Sequence, residues 1–137
     1  MTDGGPAAVT APAATDPFSF STKMNSFAPI DMAPQGLSAG DGYVVAGLIT
    51  RNGKSDGLAT AQCTYTLTKG PVLRLCTVDY AFTNGLLVTS GFINGPAQGA
   101  PVALVVVGGT GAFVNVRGYG TLQPTSTGSD VTLQLSR

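Results

Sequence analysis

Glycine, proline and Asn-Gly breaks recur along this chain from about position 17 onward, and no feature constrains its fold more. No stretch places apolar residues at i, i+3, i+4 and i+7 for three turns, so helix is at most a minor component. Between the breaks lie β-like runs at 18–27, 42–51, 57–68, 71–83, 86–94, 101–108, 112–123 and 130–136. The separators Asn52-Gly53, Lys69-Gly70, Asn84-Gly85 and Gly108-Gly109 supply the positive φ of tight hairpins, so successive strands are mostly antiparallel neighbours. Only Ala28 to Asp41 reads as a long connection. Evenly spaced short strands predict an all-β fold, here an eight-stranded antiparallel β-barrel over 18–137. The interior of such a barrel is nearly filled by side chains or holds one small ligand. Residues 1–17 are Ala, Pro, Gly and Thr with almost no large apolar group, which predicts a flexible arm, either a plain tail or a lid over a pocket mouth.

Composition narrows the chemistry. The chain has 137 residues, no His and no Trp, and all seven acids are Asp. Ser-His-Asp triads, Cys-His dyads and His-bearing zinc sites are therefore impossible, and two Cys cannot build a Cys₄ site. Acid–base work falls to Asp, Tyr, Lys, Arg, Cys or water. Charged residues make up 10% of the chain, against roughly 25% in an ordinary soluble domain, and seven bases balance seven acids. No basic run recruits nucleic acid or an anionic membrane surface. The uncharged stretch between Asp79 and Arg117 is cut by Thr83-Asn84-Gly85, Asn94-Gly95-Pro96 and Gly108-Gly109 into pieces far shorter than the ~20 residues of a spanning helix. A soluble protein is expected.

If Lys69-Gly70 is a two-residue loop, Tyr65 faces Arg74 and Cys63 faces Cys76, both on one sheet face. The 63:76 pair is then of the non-hydrogen-bonded kind, with Cα atoms about 4.5 Å apart, near the short end of disulfide geometry. Two readings stand open: a disulfide in an oxidising compartment, or two small buried thiols in a cytosolic protein. The first would favour a processed secreted protein, the second a cytoplasmic one. Ala61, Cys63, Tyr65, Leu67, Arg74, Val78, Tyr80 and Phe82 share a face that is taken as the lumen, and Asp79 then points outward into solvent. Run 101–108 is apolar on both faces, which predicts that another subunit covers its outer side.

The segment Val106-Val107-Gly108-Gly109-Thr110-Gly111-Ala112-Phe113, followed by Arg117-Gly118, resembles the GGTG-x-F…RG signature of dirigent proteins and the related allene oxide cyclases. Gly57 to Tyr65 is similar to the dirigent G…A-Q-G-x-Y strand, and Gly40-Asp41-Gly42 to the Gly-Asp that opens the strand before it. The resemblance implies the allene-oxide-cyclase-like, calycin-type barrel, assembled as a homo-oligomer (trimer or dimer). Such a barrel encloses an apolar cavity that binds a reactive hydrophobic small molecule and fixes its conformation while it cyclises or couples. Cyclases of polyketide biosynthesis also use barrels of this type. No metal and no organic cofactor is implied.

Carried over residue by residue, the resemblance matches the pocket Arg after GGTG to Arg117 and the Tyr of the A-Q-G-x-Y strand to Tyr65. The first-strand acid of the family has no counterpart in Phe18 to Lys23. Alternation from Arg117 places Phe113, Asn115 and Tyr119 with it. The expected site therefore has Arg117, Tyr65 and Arg74 as hydrogen-bond donors to a substrate carbonyl or developing oxyanion, with Tyr80, Phe82, Phe113, Asn115 and Tyr119 lining it. This predicts a cofactor-independent cyclase that works by conformational templating. A non-catalytic dirigent-like or lipocalin-like carrier is the alternative, and an oligomer with a filled lumen a third reading.

Overall fold

The computed structural model describes residues 17–95 and 99–137. The arm expected over 1–17 lies, apart from Pro17, outside the described residues. Strands β1 (Phe18–Ile30), β2 (Gly42–Arg51), β3 (Lys54–Leu67), β4 (Leu73–Phe82), β5 (Gly85–Asn94), β6 (Val102–Gly109), β7 (Arg117–Pro124) and β8 (Gly128–Ser136) form a closed antiparallel barrel in chain order. Closure runs through β1 and β8, which pair from Phe18 opposite Leu133 to Lys23 opposite Gly128. Among the described residues no helix is long and apolar enough to cross a membrane.

Local chemistry explains part of the hairpins: the expected positive φ occurs at Asn52, Gly53 and Gly70 but not at Asn84-Gly85 or Gly108-Gly109, the last pair lying inside β6. Asn52 and Gly53 both adopt positive φ, 54° and 77°, and close a two-residue turn in which Arg51 pairs with Lys54. The β3–β4 register joins Tyr65 to Arg74 and Cys63 to Cys76, although the connection spans 68–72 rather than two residues. A bulge between Tyr65 and Leu67 absorbs the difference. β1 runs on to Ile30, beyond the expected 27, because Phe27, Ala28 and Pro29 still pair with Val45, Val44 and Tyr43.

The expected strand over 112–123 is corrected. Gly111–Phe113 forms a 3₁₀ turn, and the strand begins only at Arg117. The Ala112 N–H donates to the Asn84 carbonyl, tying the turn to the β4–β5 hairpin. Gly111 has φ 62°, and a Cβ there would lie 2.6 Å from the Asn84 oxygen, so only glycine fits. The turn resets the alternation that would otherwise run from Phe113 to Tyr119.

In β7 the residues that face the lumen are consequently Gly118, Gly120 and Leu122, opposite Leu135, Leu133 and Val131. Leu133 and Val131 are fully buried, and a Cβ at Gly118 or Gly120 would lie 2.0 Å from the β8 carbonyl oxygen of Gln134 or Thr132, so neither position has room for a side chain. Arg117 and Tyr119 point away from the lumen, and Tyr119 is 63% exposed.

One end of the lumen is packed. Phe20 meets Tyr80 and Phe82 edge-on, with ring centroids 4.7 and 5.0 Å apart, and Phe113 caps Phe82 at 5.3 Å. Ile49, Leu87 and Leu133 complete this plug. Over it, the Arg51 guanidinium lies 5.0 Å from the Phe18 ring and donates through Nε to Asp56 at 2.9 Å. Asp56 also accepts from the Thr83 hydroxyl at 2.8 Å. That hydroxyl bond, reinforced by the Thr83 N–H and by Arg51 and opposed by partial burial, holds the Asp56 carboxyl below its ordinary 3.8. A depressed folded-state pKa stabilises the barrel above the ordinary value and stops doing so as pH falls through the folded one. Stability measured by urea unfolding should therefore drop as pH falls below about 4, and Asp56→Asn should flatten that drop. An equally steep drop in the variant would exclude Asp56 as its source.

Candidate functional site

The opposite end of the lumen is packed less tightly. Tyr43, Val45, Ala61, Tyr65, Arg74, Ile93 and Val102 face inward there, yet all stay partly exposed, whereas their counterparts at the plugged end are buried. Between Arg74, at this mouth, and the aromatic plug the lumen is filled by the buried Cys63, Cys76 and Val78.

Strand alternation builds the rim of this mouth. On β4 the side chains of Arg74, Cys76, Val78, Tyr80 and Phe82 turn inward. Arg74 stands opposite Tyr65, and Tyr43 opposite Cys63. The guanidinium donates through Nη1 to the Tyr43 hydroxyl at 2.8 Å, with its carbon 6.0 Å from the Tyr43 ring centroid and 5.5 Å from that of Tyr65. Phe27 stacks on Tyr43 at 5.4 Å and 29°. Arg74 Nε is buried without a hydrogen-bond partner, and no carboxylate pairs with this cation among the described residues. Below this pair a disulfide joins Cys63 and Cys76, with Cα atoms 4.1 Å apart.

A recess of about 300 Å³ opens beside the rim, walled by Phe27, Pro29, Leu37, Tyr43 and Tyr65. The 31–41 connection forms its outer wall and is held by Asp41. This buried carboxylate accepts from the Met32 N–H at 2.6 Å and the Ser38 N–H at 2.8 Å. Gly40 N–H donates to the Tyr65 carbonyl, and Tyr65 N–H to the Asp41 carbonyl, so loop and rim form one unit. Asp41 is a structural clamp whose oxygens are already engaged.

The expected site residues divide. Tyr65 and Arg74 come together at the mouth. Tyr80, Phe82 and Phe113 belong to the plug, away from the recess. Arg117, Asn115 and Tyr119, expected in the same pocket, are exposed outside the lumen, because the 3₁₀ turn shifts their register. Asp79 faces outward, in a second recess with Ala46, Leu58, Thr60, Ala81 and Leu86, but its Oδ1 is buried and unpartnered rather than solvated. Phe27, Tyr43 and Asp41 are mouth residues that sequence reasoning missed. The Asn52-Gly53 turn extrapolates to Val44, Ala46 and Leu48 inside. A bulge between Leu48 and Thr50 reverses this and brings Tyr43, Val45, Gly47 and Ile49 inward. No groups of three or more Cys or Asp side chains suited to a metal ion occur among the described residues.

No family model and no curated protein matches the chain. Solved structures do share the fold. A pyocyanin demethylase is similar with TM-score 0.74 and 22% identity, covering 88% of this chain and 99% of that one. The Diels-Alderase AbmU from Streptomyces koyangensis is similar with TM-score 0.68 and 17% identity, over 89% of this chain and 64% of that one. The pterocarpan synthase dirigent protein PsPTS1 is similar with TM-score 0.56 and 21% identity, over 87% and 88%. The chain has the barrel fold that dirigent proteins and cyclases share.

The aromatic plug generates a stability prediction. Tyr80 is fully buried, and among the described residues its hydroxyl meets no partner at hydrogen-bond distance. Burial pushes its pKa far up, offset in part by the neighbouring Thr89 hydroxyl, whose own proton goes to the Val78 carbonyl at 3.2 Å. An unsatisfied buried hydroxyl opposes folding. Tyr80→Phe should leave the unfolding free energy unchanged or raise it by about 1 kcal/mol; a loss of that size would mean that the hydroxyl has a partner.

Proposed function

We propose that the barrel binds a hydrophobic, reactive small molecule at the open mouth and directs its stereoselective cyclisation. The observation that carries this reading is the Arg74 guanidinium, held between two tyrosine rings at the rim with a donor unused. Similar folds among cyclases and dirigent proteins support it. Apolar walls fold the substrate and exclude water. Proximity of this kind supplies ~7–11 kcal/mol when the barrier is largely conformational. Arg74, with the Tyr65 hydroxyl, donates to a substrate carbonyl or developing oxyanion; such donors stabilise a transition state only where water is kept out. Neither His nor Glu is needed for this work.

A carrier without bond chemistry is the second reading, and the recess volume favours it. At about 300 Å³ the recess lies at the small end of ligand sites, and it is open on one side. Comparing extracts of cells with and without the gene, by chiral chromatography with mass detection, separates the two. The cyclase reading predicts a lost cyclic product or a changed stereoisomer ratio that the purified protein restores. With Arg74→Gln, turnover should fall by roughly 10²–10³-fold. An unchanged metabolite profile would favour the carrier.

The same reading includes a homo-oligomer, trimer or dimer, in an oxidising compartment where the Cys63–Cys76 bond persists. An exposed apolar belt on the barrel exterior supports it, with Leu58 61%, Val107 66% and Tyr119 63% exposed. Light scattering should give two or three times the 13.8 kDa chain mass, and Val107→Lys should shift it toward the monomer. A wild-type chain that is monomeric at all concentrations would remove the oligomer.

A further inference from the structure

We infer that the outer recess at Asp79 is the seat of a second copy of this chain, entered by that copy's Arg117. This rests on the homo-oligomer reading above and adds which faces meet and which charges pair.

Asp79 points outward from β4 into a recess of about 390 Å³, between Ala46, Leu58, Thr60, Ala81 and Leu86. Its cross-strand neighbours supply no donor there. Val88 is apolar, and the Thr60 hydroxyl donates to the Val45 carbonyl at 3.3 Å. Oδ1 is enclosed and meets no partner among the described residues, so the carboxylate has lost water on that side without compensation. The residue is still part exposed, so a donor entering the recess reaches the carboxylate through Oδ2. Around it the same outer face exposes Leu48, Leu58 and Leu75. A small cation would pair the acid and leave these leucines in water, whereas a protein face that carries a cation does both.

The chain holds the complement of this surface. Of its four arginines, Arg51 donates to Asp56, Arg74 to the Tyr43 hydroxyl and Arg137 to the Ala112 carbonyl. Arg117 is exposed on the outer face of β7 and forms no ion pair among the described residues. Beside it stand two exposed side chains, Tyr119 and the cross-strand Val105. That face is a cation set in apolar surface, and the recess is a carboxylate set in apolar surface. A planar guanidinium matches a carboxylate, and the pair strengthens as the contact excludes water.

Topology sets how the copies join. β4 and β7 lie three strand steps apart on the closed barrel, so the two faces point in different directions and one partner cannot cover both. A two-fold pair centred on the recess would bring two Asp79 carboxylates together with no cation between them. The contact therefore runs head to tail and closes into a ring. Of the dimer and the trimer, it builds the trimer.

Charge exchange tests this on the full chain, by light scattering and sedimentation over a dilution series. The wild-type chain should have three times the 13.8 kDa chain mass. Arg117→Asp and Asp79→Arg should each weaken assembly at least about tenfold, and the two substitutions together should restore it. If Asp79→Arg does not fold, Asp79→Asn replaces it. Combined with Arg117→Asp it should assemble more tightly than Arg117→Asp alone, because the clash of two acids is gone. A wild-type dimer, single exchanges without effect, or a double exchange that restores nothing overturns the Asp79–Arg117 contact and leaves the homo-oligomer standing. So does a combination with Asp79→Asn that is no tighter than Arg117→Asp alone. A wild-type chain that is monomeric at all concentrations overturns the homo-oligomer itself, and this contact with it.

Discussion

Pairing of β1 with β8 is the constraint from which the other features follow. Once Phe18 to Lys23 closes on Gly128 to Leu133, the sheet has no free edge and each strand has one face that water cannot reach from the side. Alternation then assigns every residue to lumen or exterior, and a single bulge or turn reverses the assignment downstream. The site is a product of that bookkeeping: the guanidinium of Arg74 is inside because β4 runs without interruption from Leu73 to Phe82.

Filling such a lumen with aromatic side chains favours stability, and one end of it is filled in that way. Edge-on aromatic contacts add about 0.5–1.5 kcal/mol each beyond burial, and Phe18, Phe20, Tyr80, Phe82 and Phe113 form a connected set of them. At the mouth the same barrel places a cation, two phenols and a disulfide where more packing would have been available. A buried guanidinium donor that no acid among the described residues meets opposes folding. That local cost is the physical reason to look for function at the open end.

The architecture was legible because its signals are local. Turn pairs such as Asn52-Gly53 mark hairpins, and the 63:76 register held even though the loop at 68–72 is longer than two residues, since the bulge near Thr66 restored the count. The site was half legible. Tyr65 and Arg74 sit on uninterrupted stretches, and their face could be read from spacing. Arg117 could not, because the Gly111–Phe113 turn interrupts alternation between Phe113 and the strand that follows. Tyr43 was hidden by the β2 bulge; with Val44 and Val45 both apolar, hydrophobic pattern does not say which neighbour turns inward. Resemblance favoured Arg117 by position in a motif, and backbone geometry turns it away from the lumen.

The central claim is that Arg74 stands in the mouth with no counter-ion among the described residues, and arginine side-chain NMR tests it with no ligand required. In ¹⁵N-arginine-labelled protein, the Nε–H proton of Arg51 should resonate downfield, as expected for donation to the Asp56 carboxylate. That of Arg74 should resonate upfield of it while exchanging slowly, the signature of a buried donor with no acceptor. An Arg74 proton as far downfield as that of Arg51 would show a carboxylate already in place and would contradict the account.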